Sequence, residues 1–595
     1  MWYLNELNRL SMERAAIQHL LTTSEWLQAA EWNLDQEMYL GVNAIIRTHN
    51  HDYAVRLTYP SLFPNVPPIV TPSDPTVRWS SHQYNDGSLC LEWGPDTWHH
   101  SVTGAQVLES AFKLLSQENP LGGDGVSIPV PSRHALTAGQ ELRSHFFRFF
   151  LDPTLSEFVT HLQNGSLSVA KVKYRIQNRS TLVLLTEIRV PDAPPFENAN
   201  IPKEMERAFS AQALLFKTDL STGSATKIET RLDLEEALGT VGLLSRPLKE
   251  EFRAQSEGED EEFVSVILVD QAAQFHLFVI PNWNETTIHR AEIFHSDRDA
   301  SKKRTPANLE SIQNKSVAIV GVGSVGGKVA VSLARMGVSK FLFIDEDIFK
   351  PENLGRNVLD WRNVGEHKVD AIKQLVEMIN PLATVDVVRL NLVGQESTKA
   401  LGAALSKLAH YDLVIDATAN PRVFNLLAAA SENYSKSIVW GEIFAGGIGG
   451  LIARSRRKYD PDPQTMRAAF FQFTSEHPYE DLPVVRDYTV LDEQGNVVSA
   501  SDADVEVIAG NVTRLAIDTL CEPQFTEFPF SMYLVGLKRG WVFEAPFHTI
   551  PIATDQLLPS VDGTVLEDSA FVENKEFITC LLSQAKPMDH ADSSS

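Results

Sequence analysis

Three glycines and a few charged side chains in the second half of the chain are spaced for work on a phosphorylated nucleotide. The segment SVAIVGVGSVGGKVAVSLARMG, starting at Ser316, is an apolar run that ends in Gly321, Gly323 and Gly326 and passes into a helical pattern. Glycines at such a turn let phosphate oxygens approach backbone N–H groups at a helix N-terminus, where unpaired donors and the helix dipole favour negative charge. Asp345 closes the next apolar run, where a carboxylate can accept hydrogen bonds from ribose hydroxyls. Asn353 and Arg356 follow in one short loop, Lys368 stands a little further on, and Asp416 ends a third apolar run, YDLVID. Taken singly, the glycine turn is an ordinary strand-to-helix connection and Asp416 a strand-end turn residue. Together, the cations Arg356 and Lys368 and a carboxylate able to meet a metal ion suit a triphosphate under attack better than a pyrophosphate bridge that is merely held.

A second reactive group lies near the N-terminus, in HQYNDGSLCLEW. A single cysteine is most often a small core residue. Here Cys90 follows the polar turn Asn85-Asp86-Gly87-Ser88, which predicts a surface bend. An unperturbed thiol, with a pKa near ~8.5, is only a few per cent thiolate at neutral pH. That fraction suffices if an activated acyl group is delivered beside it.

The elements that must carry these groups follow from periodicity. Up to about residue 119 a helical pattern precedes short strand-like runs, YLGVNAIIRTH, DYAVRLTYP and PPIVTP, and the helical stretch TGAQVLESAFKLL closes an α+β domain with a small antiparallel sheet. From about 120 to 301 the signal is weaker. FFRFF reads as a helix, STLVLLTEIRV as a strand, and FVSVILVDQAAQFHLFVI as a hairpin turning at Gln271–Gln274, together a connecting α/β domain. Alternating strands and helices then predict a mostly parallel sheet, followed by further strands in MYLVGLKRGWVFEAPFHTIPI and a disordered tail.

From about Leu309 to Leu520 the ordered motifs resemble the adenylation domain of ubiquitin-activating enzymes and of the bacterial activators of sulfur-carrier and molybdopterin proteins (ThiF/MoeB type). The resemblance implies a Rossmann-like domain in which the C-terminal carboxylate of a protein attacks the α-phosphate of ATP, forms an acyl-adenylate and releases pyrophosphate. It implies Asp345 at the ribose, Arg356 and Lys368 at the phosphates, Asn353 orienting them, and Mg2+ as companion of the nucleotide. Ala419 stands where that family has a magnesium-binding Asp just before Asn420, which leaves Asp416 as the candidate metal ligand.

Residues from about Leu4 to Pro120 resemble the ubiquitin-conjugating fold, on YPSLFPNVPP, the DGSLCL segment around Cys90, Trp98 and the helix ending in LL before Asn119-Pro120. In that family a His-Pro-Asn triplet precedes the cysteine, its Asn stabilising an oxyanion. Aligned on Cys90 the triplet is Ser80-Ser81-His82, so His82 falls at the Asn position and could donate a hydrogen bond or accept a proton, or merely cap the turn. Ubiquitin-type activators also carry a thiol just before a helix that corresponds here to Asp504–Leu520. This chain has Ser499, Ala500 and Ser501 there. Cys521 at the far end of that helix could be the relay, the adenylate could pass straight to Cys90, or the relay thiol has been replaced near Ala500. Cys580, in FITCLL, reads as core.

Composition sets the bounds. The 595 residues allow about four domains of roughly 150 residues. With 43% hydrophobic and 22% charged residues the chain is of folded, soluble type. A net charge of −25, from 52 basic and 77 acidic residues, opposes nonspecific attraction to nucleic acid or anionic membrane. Three scattered cysteines make no disulfide framework and no CxxC zinc pair, and point to the cytoplasm. No signal peptide and no apolar run near the ~18 residues that cross a bilayer is present.

The full expectation is an α/β multidomain protein: a ubiquitin-conjugating-like α+β domain over 1–120, a connecting α/β domain over 121–301, an adenylation domain with a mostly parallel sheet over 302–585, and a tail over 586–595. This order resembles the bacterial fusions of antiphage cyclic-oligonucleotide signalling (CBASS), which implies activation and conjugation in one chain, a cyclic-oligonucleotide synthase as substrate, an acceptor protein, and a homodimer in which Arg298 or Arg304 reaches the partner's ATP. A nicotinamide-dependent oxidoreductase would fit the glycines and Asp345 but leave Arg356, Lys368 and Cys90 idle. A noncatalytic scaffold that only binds a modifier would accommodate both His82 and the vacant relay position.

Overall fold

The N-terminal helical pattern forms α1 (Leu7–Thr23), and the three strand-like runs form β2 (Leu40–Thr48), β3 (His51–Thr58) and β4 (Ile69–Pro72), preceded by β1 (Leu27–Leu34). The computed structural model describes residues 1–79, 83–84, 86–122, 139, 142–190, 193–255, 264–281, 286–295, 311–478, 490–491, 497–521, 526–554 and 574–579, and divides them between two compact units, 1–144 and 145–595. In the first unit the four strands make an antiparallel meander in sequence order. Alternation puts Val42, Ala44 and Ile46 opposite Leu57, Val55 and Tyr53, all buried. Helix α2 (Gly104–Glu118) lays Gly104, Val107, Leu108, Ala111, Leu114 and Leu115 on the same core, an i, i+3, i+4, i+7 stripe. The Thr103 N–H donates to Gln106 Oε1 at 2.9 Å to start the helix.

The second unit begins with β5 (Phe147–Leu151), followed by α3 (Pro153–Thr160), β6 (Ser166–Ile176), β7 (Thr181–Arg189), β8 (Phe196–Glu197) and β9 (Ala208–Lys217). Helices α4 (Arg231–Thr240) and α5 (Leu248–Gln255) come next, then β10 (Val264–Val269), β11 (Phe275–Ile280) and β12 (His289–His295). The sheet runs β5-β12-β11-β10-β9-β6-β7-β8, and a further pairing of β5 with β7 closes it on itself. The β10–β11 hairpin turns where the sequence predicts it. FFRFF is not a helix: its last four residues lie in β5, where Phe147, Phe149 and Leu151 are buried and Arg148 and Phe150 only partly so. A period of two with aromatic side chains selects the strand over helix propensity.

The nucleotide-type motifs sit in the third sheet, ordered β15-β14-β13-β16-β17-β18-β19-β20. Its strands are β13 (Ser316–Val320), β14 (Lys340–Ile344), β15 (Thr384–Val388), β16 (Leu413–Asp416), β17 (Ser437–Phe444), β18 (Gly449–Ser455), β19 (Met532–Gly536) and β20 (Thr549–Pro551). The first five in this order of neighbours pair in parallel and the last three antiparallel. Helices α6 (Ser324–Arg335), α7 (Lys368–Ile379), α8 (Thr398–Lys407), α9 (Pro421–Tyr434), α10 (Pro463–Glu476) and α11 (Asp502–Cys521) accompany it, and two buried apolar clusters flank the strands. Strand order reverses at β13, with β14 on one side and β16 on the other, and in such sheets ligands bind beyond the carboxyl ends of the strands at that point. Among the described residues no helix is long and apolar enough to cross a membrane.

Candidate functional site

At that reversal point a cavity of about 440 Å³ opens, lined by Gly321, Gly323, Asp345, Arg356 and Lys368 together with Asn391, Thr418, Ala419, Asn420, Glu442 and Ala500. The glycines work as a cradle. Gly321 has φ +81, and its N–H donates to the Ile344 carbonyl at 2.8 Å. A Cβ on Gly326 would lie 1.9 Å from the Gly321 carbonyl oxygen, so only glycine lets the first turn of α6 press against the loop. A Cβ on Gly323 would meet nothing within 4 Å, and the space there faces the N-terminus of α6. Gly326 thus shapes the cavity from behind without lining it.

Asp345 leaves β14 and accepts from the Val322 N–H through one oxygen and the Asp347 N–H through the other, both at 2.9 Å. Burial pushes its carboxyl up, against those N–H groups and the charge of Lys368. Lys368 opens α7, is 7% exposed, and reaches the Asp347 carboxylate at 2.7 Å. Arg356 holds its loop through a backbone bond to the Asn353 carbonyl, and among the described residues its guanidinium has no partner. Asn353 does not line the cavity: its Oδ1 accepts from the Lys350 N–H at 2.9 Å and fixes the turn that presents Arg356.

Asp416 faces elsewhere. At the end of β16 its Oδ1 accepts from the Thr418 N–H and hydroxyl at 3.0 and 2.6 Å, and it borders a smaller space of about 50 Å³ with Glu442, Arg467, Phe424, Phe470 and Phe471. Burial pushes the Asp416 carboxyl up to about 6. Glu442 borders both spaces, and burial raises it as well, with Arg467 opposing and Asp416 adding to the rise. Sequence reasoning missed Glu442, although a lone acid inside the apolar run SIVWGEIF was the available signal. Ala419, with φ +51, carries no side chain that could take a cation. Among the described residues no three His, Cys, Asp or Glu side chains converge on a metal site. The glycine cradle, Asp345 and the cations fit a nucleotide polyphosphate, and of the carboxylates Asp345 and Glu442 line the same cavity while Asp416 borders the smaller space beside it.

Ala500 lies on the cavity wall, 7% exposed, against Gly447, just before α11. Cys521 ends the same helix, packed on the apolar core roughly 30 Å away at 1.5 Å per residue, so it does not share this site. Cys90, in the first unit, is half-buried between the buried Leu89 and Leu91, and its sulfur lies 3.3 Å from the Tyr84 hydroxyl. His82, Cys580, Arg298, Arg304 and the tail lie outside the described residues.

Comparison with known proteins gives two family matches, both within residues 145–595. Residues 297–472 match the ThiF family, and residues 168–292 match a family described as "Domain observed between E2 and E1 domains". The chain is 34% identical over 100 residues to "Ubiquitin-like modifier-activating enzyme 5" of Bombyx mori, covering 17% of this chain and 25% of that protein. It is 29% identical over 164 residues to "ATP-dependent ubiquitin transferase-like protein Cap2" of Vibrio cholerae serotype O1, covering 26% and 25%. It is 24% identical over 408 residues to "Uncharacterized protein y4qC" of Sinorhizobium fredii, covering 65% and 67%. The chain therefore spans a quarter of the length of two of these relatives and two thirds of the third. The cavity thus belongs to a ThiF-type adenylation domain, preceded in the chain by a domain of the kind observed between E2 and E1 domains.

Proposed function

We propose that this protein activates the C-terminal carboxylate of a polypeptide with MgATP, carries it as a thioester on Cys90 and transfers it to an amine of an acceptor protein. In the first step a carboxylate oxygen attacks the α-phosphorus and the bond to pyrophosphate breaks. Asp345 accepts from the ribose, the loop N–H groups of 321–326 and Arg356 and Lys368 meet the phosphates, and their preorganised charge stabilises the transition state. The Cys90 sulfur then displaces AMP from the acyl carbon, and an amine displaces the sulfur. Mg2+ enters with the nucleotide.

The observation that carries this reading is the unpartnered Arg356 beside the glycine cradle in one cavity. With Ala500 on the cavity wall and Cys521 at the far end of α11, the acyl group passes from AMP to Cys90 without a relay in the adenylation domain. The likeness to a protein described as an ATP-dependent ubiquitin transferase-like protein supports the ATP-dependent transfer. The activated polypeptide in this reading is a cyclic-oligonucleotide synthase, in antiphage defence, with a homodimer in the cytoplasm, as the resemblance of the domain order to the CBASS fusions implies. ATP–pyrophosphate exchange that depends on an added polypeptide tail, and a thiol-labile adduct on nonreducing gels that disappears in Cys90→Ala, are the expected results. NAD binding without exchange would replace this reading with an oxidoreductase. The alanines at 419 and 500 favour the scaffold as the second reading, and tail binding with no exchange and no adduct would establish it.

A further inference from the structure

The Tyr84 hydroxyl lies 3.3 Å from the Cys90 sulfur, and both residues are presented by anchored backbone. The Tyr84 N–H donates to the Ser88 carbonyl at 2.8 Å, and its own carbonyl accepts from the Gly87 N–H at 2.9 Å and from the Arg78 guanidinium. The Gln83 side chain ties the same turn to Trp79, Val77 and Gly87. On the other side the Leu89 N–H donates to the Val70 carbonyl at 2.8 Å, and Leu89 and Leu91 both point into the core, which leaves the intervening sulfur facing out of it. The contact is therefore held by the hairpin turn and does not depend on two mobile side chains meeting.

We propose that the Tyr84 hydroxyl donates a hydrogen bond to the Cys90 thiolate and so holds the sulfur ionised and aimed for acyl transfer. This rests on the reading of Cys90 as the acyl carrier. A phenol serves as donor only while it keeps its proton, and the sulfur contact, then burial, push Tyr84 up to about 12, with Asp96 and Asp86 adding negative charge nearby. Among the described residues Arg78 also faces this turn and acts on Asp86. In capture, the thiol proton has already left to solvent, the C–S bond forms, the C–O bond to AMP breaks and Tyr84 keeps its proton. In transfer, the C–N bond forms, the amine loses a proton to solvent, and the departing thiolate returns to the same donor. Hydrogen bonds to an ionised acceptor are roughly twice as strong as neutral ones, which is why the ionised form gains from this contact.

The test is alkylation of Cys90 by iodoacetamide in the full chain across pH, read on the Cys90 peptide by mass spectrometry so that Cys521 and Cys580 do not contribute. Tyr84→Phe removes one oxygen from a ring that is 49% exposed. The expected result is a midpoint about one pH unit higher, with alkylation at neutral pH about tenfold slower, an unchanged unfolding temperature, and slower formation of the ATP-dependent adduct. Tyr84→Met is the second variant should the phenylalanine protein not fold. A profile that is unchanged, or displaced to lower pH, in a folded variant overturns the proposal. Alkylation needs neither ATP nor a polypeptide, so a shifted profile with no acyl adduct in the parent protein would sink the carrier reading while leaving the Tyr84–Cys90 bond standing.

Discussion

Arg356 and Lys368 are both cations on the cavity wall, but they stand in different debt to the fold. Lys368 is buried and paired with the exposed Asp347, so its removal empties a packed position and disturbs the start of α7. Arg356 has no partner among the described residues, and its side chain contributes nothing evident to the folded state. Arg356→Ala is therefore expected to unfold within about 0.5 kcal/mol of the parent, while ATP–pyrophosphate exchange falls by about 10²–10³. Denaturant unfolding beside exchange kinetics checks this; a destabilised protein, or one with full exchange, contradicts it. That Gly321, Gly323, Asp345, Arg356 and Lys368 belong together was legible in the chain, because their types and order match what a phosphorylated nucleotide would need, and all five line one cavity. Glu442 stood out only as a lone acid in an apolar run, and Tyr84 not at all, because a carboxylate in a strand and a phenol in a turn acquire their role from what faces them.

At the scale of elements, α11 ties the cavity wall to the antiparallel edge of the sheet. Its N-terminal turn is pinned to α6 by Lys328, which is buried and lies 2.9 Å from Asp502 and 2.7 Å from Glu506. Near its other end Asp518 meets Arg454 of β18, a guanidinium that is 0% exposed, along with the Thr526 hydroxyl and the Glu527 N–H. Burial alone would raise the Asp518 carboxyl, but the Thr526, Arg454 and Glu527 bonds outweigh it and hold the group below its ordinary 3.8. A depressed carboxylate stabilises the fold above its unfolded pKa and loses that contribution as pH falls through the folded value. Asp518→Asn leaves Arg454 buried without its counter-charge, which costs about 3 kcal/mol or more at neutral pH. The difference from the parent is expected to narrow as pH drops below about 4; urea titrations at several pH values measure it, and a gap that widens in acid would contradict the sign. The helix itself was expected from the resemblance to ubiquitin-type activators, whereas the Arg454–Asp518 pair joins residues 64 apart and had no local signal. FFRFF shows the reverse failure, where a short aromatic run without a turn signal was compatible with either period until the sheet took it.

The described residues form two compact units, and the groups of the proposed reaction fall on both: Cys90 lies in 1–144 and the glycine-lined cavity in 145–595. The first unit has its own apolar core, built from Tyr53, Val55, Leu57, Leu108, Ala111 and Leu115 among others. Fragments 1–144 and 145–595 are each expected to unfold cooperatively, and the second to retain pyrophosphate exchange. Mixed together, they should form the Cys90 adduct at a rate proportional to fragment concentration. The intact chain should be insensitive to dilution, since a tether supplies an effective concentration in the millimolar range. Equal dilution sensitivity in both would mean that the acyl group travels between chains.

The sequence alone determined the alternation of strand and helix around the glycine turn, the parallel part of the third sheet, the antiparallel meander that precedes Cys90, and the residues suited to a nucleotide. Those features are encoded locally, in periods of two and 3.6 residues and in turn chemistry. Tertiary structure alone decided that Asp416 borders the smaller space beside the cavity, that Ala500 lies on the cavity wall with Cys521 a helix length distant, that β5 closes a sheet on itself, and that a phenol faces the Cys90 sulfur. Each of these depends on which distant segments pack together, and burial and facing charge are properties of that packing rather than of any stretch of residues.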